Sequence, residues 1–194
     1  MTTKVCALKL GGDFGPEHVR WLARQVPDIV CISSSDVPGV PTIRPEMDLP
    51  GWWSKMNAFS PNVLSGDVLL IDLDTVVLSM PDMPAQTTVL RDWNEPSIMN
   101  SSLVFVTEAD RERVWRAWSA GPRRHMRDNM RWPKWGDQGF LQDYIGGAQK
   151  WQDLANVYSY KEHCRDGLPV DAQVVCFHGD PRPWHVSEPW IPGL

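Results

Sequence analysis

Two aspartates, Asp72 and Asp74, stand in the otherwise apolar stretch VLLIDLDTVVLSMPD, Val68 to Asp82. Charge set among apolar residues is costly unless something pairs with it. If the strand runs on through Asp74, Asp72 and Asp74 face one side and Leu73 the other, because strand side chains alternate. Two such carboxylates repel unless a proton or a cation lies between them. A hard divalent ion answers that need: Mg2+ or Mn2+ takes one or two carboxylates together with phosphate oxygens of a substrate. The tripeptide alone is also compatible with a solvated turn after a strand.

A first chemistry that fits is phosphoryl transfer. LLIDLDTV resembles the D-x-D-x-[TV] motif of haloacid-dehalogenase-type phosphatases, which would make Asp72 a nucleophile and Asp74 an acid. That fold also needs acidic metal ligands near the end of a later apolar strand. Only Gly136-Asp137 with Asp143 offers them, and they follow RWPKW rather than a strand. Two good strands also precede the motif, where that family puts its nucleophile on the first.

The elements that must position these residues can be read from the apolar pattern. VCALKL (Val5–Leu10) is a buried strand ended by Gly11-Gly12. Pro16 suits a first helical position, and Val19, Leu22, Ala23 and Val26 follow at helical spacing. Asp28–Ser33 is a second strand, Ser34–Pro50 a loop with an edge strand, Gly51–Phe59 a short helix, and Asp67–Asp74 the strongest strand. Prolines 81 and 84 break the pattern before the strand Ser101–Val106. Thr107 and Asp110 open a helix by a capping box, with Val114, Trp115 and Trp118 on one side. Asp137–Ile145 is a helix with Phe140, Leu141, Tyr144 and Ile145 inward, and Ala172–Gly179 is a late strand. Strands alternating with helices predict an α/β fold with a largely parallel sheet covered on both faces. Ligands of such sheets collect at the carboxyl ends of strands, where Asp72, Asp74 and His178 fall.

Six segments, in order, resemble the glycogenin-like glycosyltransferases (glycosyltransferase family eight, with the glycosyltransferase-A fold) and their small bacterial and viral relatives. They are CALKLGGDFGPEHV, GWWSKMNAFSP, VLLIDLDTVVL, MNSSLVFV, WGDQGFLQDYI and VVCFHGDPRPW; YSYK (Tyr158–Lys161) also recurs in the small relatives. The resemblance implies a Rossmann-like single domain over 1–194 that transfers a sugar, with retention, from a nucleoside diphosphate, UDP for preference. It implies Asp72, Asp74 and His178 as ligands of Mn2+ or Mg2+. Arg182, where the family usually has lysine, and Lys55 would meet the diphosphate or donor, beside Gly179. Phe14, in place of the family's tyrosine, and the backbone around Leu10 would line the base and ribose pocket. Asn100, Ser101, Asp137 and Gln138 would address the donor sugar, the last two as the catalytic pair.

At 194 residues with 42% apolar and 22% charged residues, the chain has the length of one soluble domain. No run approaches the roughly 18 apolar residues of a membrane span, and the short apolar run before Gly11-Gly12 does not suit a signal peptide; the expected location is the cytoplasm. Cys6, Cys31, Cys164 and Cys176 lie far apart and suit core thiols rather than a disulfide framework or zinc knuckle. Eleven tryptophans serve mostly as packing, though such rings also wall sugar and base sites. A non-enzymatic carbohydrate-binding protein would explain them, but not the ordered carboxylates and histidine.

The acceptor divides into two classes. GPRRHMRDNMRWPKW (Gly121–Trp135) sets Arg123, Arg124, Arg127, Arg131 and Lys134 against Asp128 alone, a net +4 that leaves −9 on the rest of a chain whose formal charge is −5. With Trp132 and Trp135, this island suits DNA carrying a hydroxymethylated pyrimidine, since cations meet phosphates and rings stack on exposed bases. A carbohydrate or lipid-linked glycan is the other class, and the island is then a solvated loop.

Overall fold

Every side chain of Val68–Ile71 is buried, as a strand covered on both faces and paired on both edges requires. In the computed structural model, which describes residues 2–194, this run is the middle strand of a seven-stranded sheet. The chain begins with β1 (Thr3–Leu8) and α1 (Pro16–Ala23), then β2 (Val30–Ser33) and β3 (Thr42–Ile43). A 3-10 helix spans Gly51–Phe59. β4 (Val68–Ile71), β5 (Thr75–Val77), β6 (Thr88–Arg91) and β7 (Met99–Val106) precede α2 (Glu108–Ser119). Next come α3 (Pro122–Asp128), β8 (Met130–Arg131), β9 (Lys134–Trp135) and α4 (Gly136–Ile145). β10 (Gln149–Lys150), β11 (Val157–Ser159), α5 (Tyr160–His163) and β12 (Val174–Cys176) complete the order.

The main sheet runs β10-β6-β7-β4-β1-β2-β3 and is mostly parallel; β7 alone runs against both its neighbours, β4 and β6. Period-two alternation divides its side chains between two cores. Leu69 and Ile71 join Val19, Trp21 and Leu22 of α1 on one face, while Val68 and Leu70 join Trp53, Met56, Trp118 and Phe140 on the other. The apolar spacing read from Val19 is buried at Val19 and Leu22 of α1 and at Val26 just beyond it, and Trp115 and Trp118 of α2 are buried as expected. Thr107 caps α2, its hydroxyl accepting from the Asp110 backbone N–H. All four cysteines are buried and unpaired.

Two differences from the sequence reading matter for the site. The strand expected to run through Asp74 stops at Ile71. Asp72, Leu73 and Asp74 form a turn, closed by Thr75 N–H donating to the Asp72 carbonyl at 3.2 Å. The chain there leaves the main sheet for a second one, β11-β12-β5, in which β5 pairs antiparallel with β12 and β12 parallel with β11. Strand alternation therefore does not set the direction of the two carboxylates. The second difference is β6, an unrecognised strand that lies between Pro84 and Pro96.

This topology builds one rim. Asp72 follows the carboxyl end of β4, and its N–H donates to the Ser102 carbonyl of β7 at 2.9 Å. The register Cys176↔Thr75 and Ser159↔Cys176 brings the end of β12, the start of β5 and the end of β11 together, so His178, Asp74 and Ser159 share that rim.

Candidate active site

The Asp72–Asp74 turn is built around buried charge. Lys55, from the 3-10 helix, is 9% exposed, and its ammonium lies 2.9 Å from Asp72 Oδ1, 3.0 Å from Asp137 Oδ2 and 3.2 Å from Ser101 Oγ. Burial alone would discharge this lysine, but the Asp137 and Asp72 carboxylates outweigh it and raise its pKa above the ordinary value. Asp137, in the first turn of α4, is itself buried. Burial raises its pKa, the Lys55 charge opposes that, and the Asp72 charge adds to it. Lys55 is thus a buried member of the site, not a surface lysine.

Asp74 takes a different cation. Its Oδ2 accepts from the Arg182 guanidinium, which also lies over the Phe14 ring, 4.9 Å from the centroid. Phe14 is held edge-on by His18 and Trp184, at 5.6 and 5.9 Å. Burial, and then the Asp72 charge, raise the Asp74 pKa, with Arg182 acting against both. Leu10, by contrast, lies in the exposed turn beyond β1.

His178 is placed by backbone geometry. Its φ is +38° and that of Gly179 +103°, so two successive left-handed residues turn the chain over the rim as β12 ends. The His178 ring stacks on Trp93 with centroids 5.0 Å apart, and its Nε2 sits 2.7 Å from Ser159 Oγ. Lys161 Nζ donates to the His178 carbonyl at 3.1 Å. Burial, then the Lys161 charge, hold the imidazole pKa below its ordinary value, which favours the neutral, ligand-competent form. Ser159, Lys161 and Trp93 were not singled out as site residues. Ser159 and Lys161 do lie in the YSYK segment, but their link to His178 depends on strand register.

The donor set can be weighed against a divalent ion. Among the described residues, no three His, Cys, Asp or Glu side chains converge as a ready metal cage. Asp72 faces Lys55, Asp74 faces Arg182, and His178 faces Ser159. The chemistry of the two carboxylates nonetheless fits a hard ion: they carry like charge on one turn, and a cation between them relieves the repulsion. Asp72, Asp74 and Asp137 against Lys55 and Arg182 leave the centre with one negative charge in excess. His178 stands apart from the pair as a neutral donor.

The remaining expected residues line the same centre or border it. Asn100 and Ser101 are buried at the start of β7; Asn100 Oδ1 accepts from Ser102 N–H at 2.9 Å, and its Nδ2 donates to Asp92 Oδ2 at 3.4 Å. Gln138, beside Asp137, is half-buried.

The basic island is not a loop. It folds as α3 and the β8–β9 hairpin, which delivers the chain directly into Asp137. Arg123, Arg124, Arg127, Arg131 and Lys134 are all exposed, and Trp52, Trp132 and Trp135 are 44%, 63% and 51% exposed. Trp52 and Trp135 lie 6.3 Å apart. Gly136 has φ +63°, and a Cβ there would lie 2.6 Å from Trp52 Nε1, so only glycine lets the hairpin join α4 here. Among the described residues, Arg123, Arg124 and Arg131 have no carboxylate partner, while Arg127 pairs with Asp128 and Lys134 with Asp143.

The sequence matches no family model and no curated protein. Among solved structures, the chain is similar to the galactosyltransferase LgtC in complex with donor and acceptor sugar analogs, with TM-score 0.61 and 14% identity over 95% of this chain and 90% of that one. It is similar to the glycosyltransferase GlyE of Streptococcus pneumoniae, with TM-score 0.60 and 14% identity over 96% of this chain, which spans only 56% of that one. A glycosyltransferase involved in glycosylation of the major capsid of PBCV-1 gives TM-score 0.50 and 14% identity over 92% and 94%. At this identity the likeness is one of fold, and the fold is the α/β glycosyltransferase-A architecture expected from the sequence.

Proposed function

We propose that the chain, as one domain, is a metal-dependent glycosyltransferase that moves a sugar from a nucleoside diphosphate, UDP for preference, to a glycan hydroxyl with retention. The observation that carries the reading is the Asp72–Asp74 turn at the strand-end rim of a glycosyltransferase-A fold, with Lys55, Asp137 and Arg182 gathered on it. In the reaction the bond from the anomeric carbon to the diphosphate oxygen breaks. A bond forms from that carbon to the acceptor oxygen, whose proton is released, and the nucleoside diphosphate departs. The four unpaired buried thiols accord with a cytoplasmic setting. Among the described residues no helix is long and apolar enough to cross a membrane.

Asp72, Asp74 and His178 would hold Mn2+ or Mg2+, which supplies neutralisation of the leaving diphosphate. Arg182, whose guanidinium is already at the site on Asp74, presents its planar fork to the diphosphate. Phe14 supports that fork and borders the base, with the backbone around Leu10 nearby. Gly179 lets the backbone approach the phosphates closely. Lys55 holds Asp72 and Asp137 in place, so that Asp137, Gln138, Asn100 and Ser101 face the donor sugar as a preorganised set.

A second reading of the acceptor, a hydroxymethylated pyrimidine in DNA, is favoured by one observation: the exposed basic and aromatic arm leads straight into Asp137. The test is release and transfer of sugar from a panel of UDP-sugars with Mn2+, with EDTA, and with saccharide or hydroxymethyl-DNA acceptors. Turnover that needs Mn2+ and stops in EDTA is expected. Full activity in chelator would remove the metal from the reading. Phosphate release from simple monoesters, without sugar transfer, would replace the reading by a phosphatase.

A further inference from the structure

Transfer of a sugar to a glycan makes no use of the arm formed by α3 and the β8–β9 hairpin, yet the arm is firmly fixed at its base. His125 Nε2 lies 3.0 Å from the Ala117 carbonyl of α2, and its ring stacks on Trp118. Asn129 Nδ2 donates to the His125 carbonyl at 2.8 Å, and the Gly136 N–H donates to the Asn129 carbonyl at 2.8 Å, closing the root of the hairpin. Met126 packs on the core beside them. The inward side of α3 is thereby used up, and Arg123, Arg124 and Arg127 are left exposed.

Register sorts the side chains of the hairpin. Arg131 is opposite Lys134 and Met130 opposite Trp135, so the two cations share one face and Met130 and Trp135 the other. Trp52 extends the apolar face by its contact with Trp135. The turn between the strands is Trp132-Pro133, which carries no charge, and Trp132 is the most exposed indole among the described residues. Four of the ten exposed large apolar side chains of the described residues, Trp52, Met130, Trp132 and Trp135, thus gather on one prong, where scattered exposure would need no explanation.

The charge calls for an anionic partner. Arg123, Arg124 and Arg131 have no carboxylate partner among the described residues, on a chain that is acidic elsewhere. A nucleic-acid strand laid along the cationic face would leave Met130 and Trp135 bare on the other. The Trp52 and Trp135 rings, tilted by 40° with centroids 6.3 Å apart, are packed on each other rather than opened as a platform for bases. The interface of an anionic bilayer satisfies both faces at once. Lipid phosphates meet the guanidinium groups, while indoles and a methionine settle at headgroup depth.

We propose that the arm is a membrane-docking element, which seats the protein peripherally on a bilayer rich in anionic lipid with Trp132 at its leading tip. The proposal stands whether or not the chain transfers sugar. Because β9 leads directly into Asp137 at the start of α4, docking carries the candidate active site to the membrane surface.

The test is flotation of the full chain with vesicles of phosphatidylglycerol and phosphatidylcholine in equal parts, and with vesicles of phosphatidylcholine alone, at low and at high salt. Binding to the anionic vesicles at low salt is expected, with little binding to phosphatidylcholine and release as salt screens the charges. Trp132→Ser should weaken binding about tenfold, the scale of burying one large apolar side chain. Joint replacement of Arg123, Arg124 and Arg131 with Ala should weaken it about fivefold per cation, on the order of a hundredfold together. Circular dichroism and urea unfolding check the fold, which these exposed positions should leave unchanged. No binding to the anionic vesicles at low salt would overturn the proposal, as would equal binding to phosphatidylcholine alone. Binding undiminished by either set of substitutions would place docking elsewhere on the chain and sink it too. Retention of a short single-stranded DNA under conditions where the vesicles are not bound would give the arm to nucleic acid instead.

Discussion

The Lys55 ammonium is 2.9 Å from Asp72 Oδ1 and 3.0 Å from Asp137 Oδ2, so a single buried cation joins the 3-10 helix, the turn after β4 and the start of α4. These segments come from distant parts of the sequence and make no shared strand. Their relative placement depends on a charge cluster that water scarcely reaches, where an unbalanced charge is expensive.

Removing the cation should therefore cost more than removing either anion. Lys55→Met leaves Asp72 and Asp137 facing each other, and in EDTA it should lose about 3 kcal/mol of unfolding free energy, the scale for breaking a buried pair. Asp137→Asn should lose less, because Asp72 still balances the ammonium. The double variant should recover part of the Lys55→Met loss. Urea unfolding of all four proteins measures the coupling, and strictly additive losses would contradict the cluster.

His178 can be separated from a packing histidine by what its loss changes. His178→Ala removes the stack on Trp93 and the bond to Ser159, which should cost about 1 kcal/mol of stability. Mn2+-dependent UDP binding should fall at least about tenfold, a loss of 1.4 kcal/mol or more. Calorimetry in Mn2+ and in EDTA reads both. A variant that unfolds broadly while its surviving fraction binds UDP normally would make the residue structural.

The parts of this arrangement that were legible in the sequence are those set by local pattern. Val68–Ile71 announces itself by four apolar residues, α1 by Val19, Leu22 and Ala23 at helical spacing, and α2 by the Thr107 cap. β6 was hidden because it has four residues and stands between proline-rich segments; its assignment comes from pairing with β7 and β10. The carboxylate turn was read as strand because Leu73 and Val76 continue the apolar pattern, while the change of sheet at Asp72 is decided by distant β12. Which cation meets which aspartate was also beyond local reading: Lys55 reaches the turn from a segment before it in the chain and Arg182 from one far beyond it.

Acid should expose a second charge cluster, at the start of α2. Burial alone would raise the pKa of Asp110, but bonds from Thr87, Arg113 and Thr107 outweigh it and hold the carboxyl below its ordinary value. A depressed folded pKa means stability that is present above the unfolded value of about 4 and lost as pH falls through the lower folded value. Asp110→Asn should cost about 1 kcal/mol at pH 7, and the gap to the parent protein should close as pH drops below about 4. Urea melts from pH 7 to pH 3 give the comparison; a gap that widens toward acid would reverse the assignment.

The arm formed by α3 and the β8–β9 hairpin gives the sharpest choice of acceptor. If it grips nucleic acid, its exposed guanidinium groups displace counterions from phosphates, and each phosphate neutralised on duplex DNA adds a slope of roughly −0.9 to log K against log salt. Replacing Arg123, Arg124 and Arg127 with Ala should then flatten that slope by roughly two to three units and depress transfer to hydroxymethyl-DNA. Sugar-nucleotide hydrolysis, which depends on the Asp72–Asp74 turn, should barely change, because no ion pair joins α3 to that turn among the described residues. A saccharide acceptor predicts another pattern: no DNA retention at low salt, transfer insensitive to ionic strength, and indifference to the triple substitution. Gel-shift and transfer assays on the parent and the triple variant separate the two. We expect the saccharide pattern, because the arm's cations are exposed and, among the described residues, no ion pair joins them to the Asp72–Asp74 turn. Retention of DNA with a steep salt slope that the triple substitution flattens would give the acceptor to nucleic acid.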